Sequence, residues 1–302
     1  MSQMTKADIK IIGCGYIGKK VASNLNKINR KPVCFVKTAH SKSECESLGY
    51  KAIRFNLDHE SLDLADEIKN GFSQSQIAYF APPPPAGKID TRIAHFISVL
   101  ESLELPPEKI VLISTTGVYG DCHGEWIDES RPLNPQVDRA YRRVDAEEQL
   151  KAYCEKAQVS LIVLRVPGIY AEDKLPLKRI TSGESIVNAQ DSGFTNRIHA
   201  EDLAAFCVEA IVCEVETGVY NCCDGHPSTM NDYFMKVADT LGFDRPVEIS
   251  MKQAKRELSK GMLSYLAESK RISNKKLLSK FETQLTYPNL ESGLKNTGLN
   301  NE

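Results

Sequence analysis

Short apolar runs of strand length recur along the first half of the chain, at Ile9–Ile12, Val33–Val36, Ala52–Phe55, Ile77–Phe80, Ile110–Ile113 and Val159–Leu164. Their brevity and continuous apolar character predict strands buried on both faces. Between them the spacing becomes helical: Ile17, Val21, Leu25 and Ile28 recur every three or four residues, and Ile93, Phe96, Ile97 and Leu100 form a second such face. Strand and helix patterns in alternation predict an α/β fold of the Rossmann type, a doubly wound parallel sheet with right-handed crossovers. Beyond residue 170 the strands thin out and charged helices take over. Met230–Leu241 is amphipathic with Ser228 or Thr229 as its cap, and the basic run Lys252–Lys260 follows it.

The first strand runs directly into Gly13-Cys14-Gly15-Tyr16-Ile17-Gly18. Glycines at this spacing, between a strand and a helix, predict a dinucleotide-binding turn. Gly13 turns the chain, Gly15 lets backbone approach a pyrophosphate, Gly18 lets the helix pack closely, and Tyr16 and Ile17 open the helix whose N–H groups face the phosphates. In such sheets the ligand lies beyond the carboxyl ends of the strands. That edge collects Asn56 and Leu57 after the third strand, Ala81, Pro82 and Pro83 after the fourth, and Pro167, Gly168 and Ile169 after the sixth. Pro82–Pro85 cannot continue a ladder and predict a stiff loop there. Residues 1–169 therefore read as the dinucleotide-binding domain. Residues 170–302 read mostly as a smaller C-terminal substrate lobe, with some segments returning to the first domain.

An acid about 20 residues beyond the glycines normally accepts the adenosine ribose and repels a 2′-phosphate. Here the second strand ends Val36-Lys37-Thr38, so Lys37 favours NADP over NAD.

The 38 basic and 40 acidic residues nearly balance, and no long basic block suggests a nucleic-acid partner. No apolar run approaches the roughly 20 residues of a membrane span, and the polar start Met1–Asp8 lacks a signal-peptide core, so a cytoplasmic protein is expected. Nine cysteines without a CxxC spacing are expected to be buried free thiols, with no metal site.

Four stretches together resemble the extended short-chain dehydrogenase/reductase superfamily, also called the NAD-dependent epimerase/dehydratase family. They are the glycine turn, Ser114-Thr115-Thr116-Gly117-Val118-Tyr119-Gly120, Arg165-Val166-Pro167-Gly168-Ile169-Tyr170, and Asn196-Arg197-Ile198-His199-Ala200-Glu201-Asp202-Leu203-Ala204. Tyr220-Asn221-Cys222-Cys223-Asp224-Gly225, Ser269–Asn274 and Tyr287-Pro288 resemble its atypical members. The resemblance implies that Thr115 orients a substrate hydroxyl or carbonyl. It also implies that a tyrosine in YxxxK passes the proton, while the lysine assists it and holds the nicotinamide ribose.

The corresponding helix reads Arg139-Ala140-Tyr141-Arg142-Arg143-Val144-Asp145-Ala146-Glu147-Glu148, with Asp145 where Tyr141 would need its lysine. Three readings stay open. Arg142 or Arg143 supplies the missing positive charge to Tyr141; Tyr119 or Tyr170 gives the proton instead; or the protein binds a cofactor without hydride chemistry. Counting back from the glutamates sets Arg139 or Ala140 at the tyrosine position. Thr115, Tyr141 and Arg142 are the catalytic candidates. His199 reads as a helix cap, and Asp128-Glu129 beside Trp126 reads as a solvated acidic loop.

The expectation is an NADP-dependent oxidoreductase or epimerase-like enzyme acting on a small hydroxyl or carbonyl compound, with a sugar nucleotide as the candidate and a homodimer as the candidate assembly. The alternative is a non-catalytic NADP-binding redox sensor or scaffold.

Overall fold

The computed structural model describes residues 7–59 and 65–295. Seven parallel strands form the central sheet: β1 (Ile9–Ile12), β2 (Val33–Val36), β3 (Lys51–Arg54), β4 (Gln76–Tyr79), β5 (Lys109–Thr115), β6 (Ser160–Val166) and β7 (Gly218–Asn221). Their spatial order is β7-β6-β5-β4-β1-β2-β3. The order reverses at β1 and β4, and a Rossmann-type doubly wound sheet places its ligand crevice at such a point.

Two helical layers cover the sheet. On one face lie α1 (Tyr16–Lys27), which buries Ile17, Val21, Ala22 and Leu25, and α5 (Ala200–Val212). The short α2 (Ala39–Ser47) contributes one buried side chain to that face, Cys45. The other face carries α3 (Thr91–Glu101) and α4 (Asp138–Ala157), whose Phe96 and Leu150 are fully enclosed. Each such side chain contributes roughly 1.5–3 kcal/mol by leaving water. The later part of the chain divides its work. α5 and β7 belong to the sheet and its layers, whereas α6 (Met230–Leu241) packs Phe234, Val237 and Ala238 against Tyr170, Ile180 and Leu294, and α7 (Lys260–Leu266) lies farther along the chain. Thr229 caps α6, accepting from Asp232 N at 3.0 Å, and Gly242 ends it in a left-handed turn. No helix among the described residues is long and apolar enough to cross a membrane.

A buried polar network ties the sheet to α4. Glu147 of α4 accepts from Arg165 of β6 at 2.7 and 3.2 Å and from Ser114 of β5 at 2.5 Å. Arg165 also donates to the Tyr119 hydroxyl at 2.9 Å, which donates onward to Asn221 of β7 at 2.8 Å. Burial alone would lower the Arg165 pKa, but the Glu147 carboxylate outweighs it and holds the guanidinium above its ordinary value. Removing one partner strands a buried charge. Glu147→Ala is therefore expected to lower stability by roughly 3–5 kcal/mol in urea unfolding, and pairing it with Arg165→Met should recover most of the loss.

Candidate functional site

β1 delivers the chain into Gly13 at φ +88°, a left-handed conformation, with its N–H donating to Phe35 O at 2.9 Å. A Cβ there would sit 2.5 Å from the Ala81 nitrogen, so the turn after β1 and the loop after β4 meet only because residue 13 is glycine. Gly15 differs: its missing Cβ points into open space, and no side chain caps α1 behind it. The first-turn N–H groups of α1 thus receive no N-cap side chain. Gly18 lies against the turn, where a Cβ would meet Gly13 O at 3.1 Å. Tyr16 donates its hydroxyl to Asp173 at 2.5 Å, and Lys174 lies 4.6 Å over its ring, which ties the turn to the segment after Tyr170.

Lys37, at the end of β2, is half exposed but not free. It pairs with Asp58 at 2.5 Å, and Arg92 of α3 grips the same carboxylate at 2.5 and 3.1 Å. The Arg92 hydrogen bonds first, and then Lys37, hold the Asp58 carboxyl well below the usual carboxylate range. Asn56 Oδ1 accepts from Asp58 N at 3.2 Å, and the Leu57 carbonyl meets His95 Nδ1 at 2.8 Å. Arg92 also donates to the carbonyls of Pro82 and Pro83 at 2.8 and 3.1 Å, which fixes the proline loop. Nothing in the linear spacing of Asp58 and Arg92 marks them as partners of Lys37.

A cavity of about 810 Å³ opens beyond β5 and β6. Pro83, Thr115, Pro167, Gly168 and Ile169 line it from the sheet side; Arg197, Tyr233, Tyr265, Glu268 and Lys270 line it from the later segments. Thr115 Oγ1 accepts from Gly117 N at 3.2 Å, which leaves its own proton to donate.

α4 presents Arg139, Ala140 and Arg143 to this cavity. Tyr141 and Arg142 are not brought into it. Tyr141 is 37% exposed with Lys88 over its ring at 4.5 Å, and Arg142 is buried with Nη1 donating to Gly87 O. Asp145 accepts from Asp90 N at 2.7 Å and Gln149 Nε2 at 2.5 Å, so it anchors the start of α3. Glu147, locked to Arg165, fixes this rotation of the helix. The two cavity-facing positions at tyrosine-to-lysine spacing are therefore Arg139 and Arg143, one turn apart.

Tyr119 and Tyr170 are spoken for. Burial pushes the Tyr119 phenol up to about 12 within its Arg165 and Asn221 contacts. Tyr170 is buried, is raised by that burial, and donates to Asn289 O at 3.2 Å. His199 caps α5, with Nδ1 accepting from Glu201 N at 3.3 Å. Glu129 departs from the solvated acidic loop expected of it: its carboxylate accepts the Asn221 N–H at 2.7 Å, pinning that loop to β7.

A sequence model of the NAD dependent epimerase/dehydratase family matches residues 9–223. Among curated proteins, none matches the chain by sequence. Among solved structures, a functionally unknown conserved protein from Silicibacter pomeroyi is 24% identical, with a TM-score of 0.81 over 98% of this chain and 99% of that one. A UDP-glucuronic acid 4-epimerase from Bacillus cereus in complex with NAD is 15% identical, with a TM-score of 0.73 over 95% and 96%. A UDP-glucose 4-epimerase with UDP-glucose from Thermotoga maritima is 17% identical, with a TM-score of 0.74 over 97% of both chains. With a match spanning more than half its length, the chain belongs to the NAD dependent epimerase/dehydratase family.

Proposed function

We propose that the protein is an NADP-binding oxidoreductase or epimerase-like enzyme that acts on a hydroxyl or carbonyl group of an anionic, sugar-nucleotide-like compound. The observation that carries this is a cavity that joins Thr115 and the Pro167–Ile169 loop to a cationic wall. Arg139, Arg143, Lys174, Arg179, Arg197 and Lys270 line it against one acid, Glu268.

The residues present suit a dinucleotide. Open space over Gly15 and the uncapped start of α1 accommodate a pyrophosphate. At the ribose end, Lys37 and Arg92 share the one carboxylate of Asp58, so a net positive charge remains for a 2′-phosphate. The solved relatives that carry NAD support a nicotinamide cofactor in general; the lysine at the end of β2 is what argues for NADP. Such a cofactor supplies or accepts hydride.

The chain's own groups do the rest. Thr115 donates its hydroxyl proton to the reacting oxygen. Tyr265, half exposed in the cavity with the Arg139 guanidinium 4.1 Å from its ring, replaces Tyr141 as the proposed proton exchanger. Arg139 is itself steadied by Ser264 Oγ at 2.9 Å, and its fixed charge favours negative charge on the tyrosine oxygen as the proton leaves. Among the described residues no carboxylate pairs with Arg139, Arg143 or Arg197, although burial works against charge on Arg143 and Arg197. An anionic substrate meets that need. Among the described residues Glu268 Oε1 is buried without a hydrogen-bond partner, and it suits a substrate hydroxyl. Nine free thiols fit a reducing cytoplasm.

Arginines at both cavity-facing positions also favour the second reading, a protein that binds the dinucleotide and an anion without turnover. Following nicotinamide absorbance with a panel of sugar nucleotides and small carbonyls separates the two. Turnover abolished by Thr115→Val and Tyr265→Phe supports the enzyme, whereas binding without turnover across the panel supports the sensor.

Two further outcomes are expected. Lys37→Glu should weaken NADP binding by roughly tenfold or more while sparing NAD, and Gly15→Ala should weaken both with little change in thermal midpoint. Asp224, whose backbone N–H donates to Arg197 O, has its carboxyl raised by burial to about 6. Because the folded state holds this proton more tightly than the unfolded chain, the contribution of Asp224 to stability is fully present below about pH 4 and is lost as pH rises through about 6, by up to about 3 kcal/mol. Asp224→Asn should flatten that slope in urea unfolding measured across pH.

A further inference from the structure

Three cysteines far apart in sequence meet beneath the glycine turn. Cys14 lies between Gly13 and Gly15, Cys34 on β2, and Cys45 on α2; their Sγ atoms all lie within 4.8 Å of one another. Cys14 is 1% exposed, and Cys34 and Cys45 are fully enclosed. Cys45 Sγ also donates to the Cys14 carbonyl at 3.9 Å. With bonds of about 2.3 Å to a common centre, three sulfurs stand about 4 Å apart or less, so a small inward movement of the side chains closes the site.

We propose that Cys14, Cys34 and Cys45 form a three-thiol binding site for a trivalent thiophilic ion of the arsenite class. No histidine or carboxylate joins the group among the described residues, so the site offers sulfur alone. Soft donors select soft ions and leave magnesium and calcium aside.

The burial then selects by charge. Three thiolates around a monovalent or divalent ion keep a net negative charge in the core, which burial opposes. A trivalent centre with three thiolates is neutral. In the binding step, As(OH)3 reacts with three thiols to give As(SR)3 and three waters. Three As–O and three S–H bonds break, three As–S and three O–H bonds form, and nothing is oxidised or reduced.

Occupancy would reach the dinucleotide site. Cys45 is the only buried side chain of α2, so a bond through it ties α2 directly to β2 and to the turn holding Gly13 and Gly15.

The test uses the full-length, fully reduced protein with sodium arsenite. Native mass spectrometry is expected to show one arsenic per chain with three protons lost, and X-ray absorption at the arsenic edge to show three sulfur neighbours. Cys14→Ala, Cys34→Ala and Cys45→Ala should each lose stoichiometric retention while Cys213→Ala keeps it. Because a core variant can misfold, the absorption measurement on the unaltered protein decides the matter. Two sulfurs or fewer, no retained arsenic, or retention indifferent to these three cysteines overturns the proposal. None of these readouts depends on turnover or on dinucleotide binding, so their failure is separable from failure of the proposed function.

Discussion

The geometry of the candidate site depends on the buried pairing of Glu147 with Arg165. The two groups are nearly sealed from water, and Ser114 and Tyr119 add hydrogen bonds to the pair. Because charges in the core must be paired, this contact fixes the rotation of α4 against β5 and β6. Thr115 is the residue after Ser114, and Arg143 stands one turn before Glu147. The placement of Thr115 and the identity of the α4 side chains that line the same cavity thus follow from one ion pair.

That dependence explains which parts of the site could be read from the sequence. Strands and helices were legible because a sheet covered on both faces demands continuous apolar runs, and α1 and α3 demand an apolar stripe. The observed strand limits differ by a residue or two, as at β3, where pairing to β2 starts at Lys51. The glycine turn was legible because backbone geometry admits no other residue at Gly13. Rotation of α4 was not legible: Tyr141 offered the right residue type, and only the burial of Glu147 shows that Arg139 and Arg143 face the cavity. Nor were ion pairs across the fold, since Lys37, Asp58 and Arg92 come from three different elements. Equally hidden was the convergence of Cys14, Cys34 and Cys45, for which linear spacing gives no sign.

The same constraint shapes the chemistry. With arginines at the helix positions that line the cavity with Thr115, the cavity is built around fixed positive charge, and Tyr265 of α7 sets its ring 4.1 Å from the Arg139 guanidinium. The carboxyl ends of the sheet strands supply Thr115 and the Pro167–Ile169 loop to the cavity, while later segments supply Arg197, Glu268 and Lys270. A substrate bridging the two parts is what such a division fits.

A crystal structure of the protein grown with NADP tests the account most directly. It should show the pyrophosphate over Gly15, the 2′-phosphate beside Lys37, and the nicotinamide ribose within reach of Arg143 with Thr115 facing the reactive carbon. A dinucleotide whose nicotinamide end rests on Tyr141 and Asp145, or a glycine turn that takes up none at saturating concentration, would contradict it.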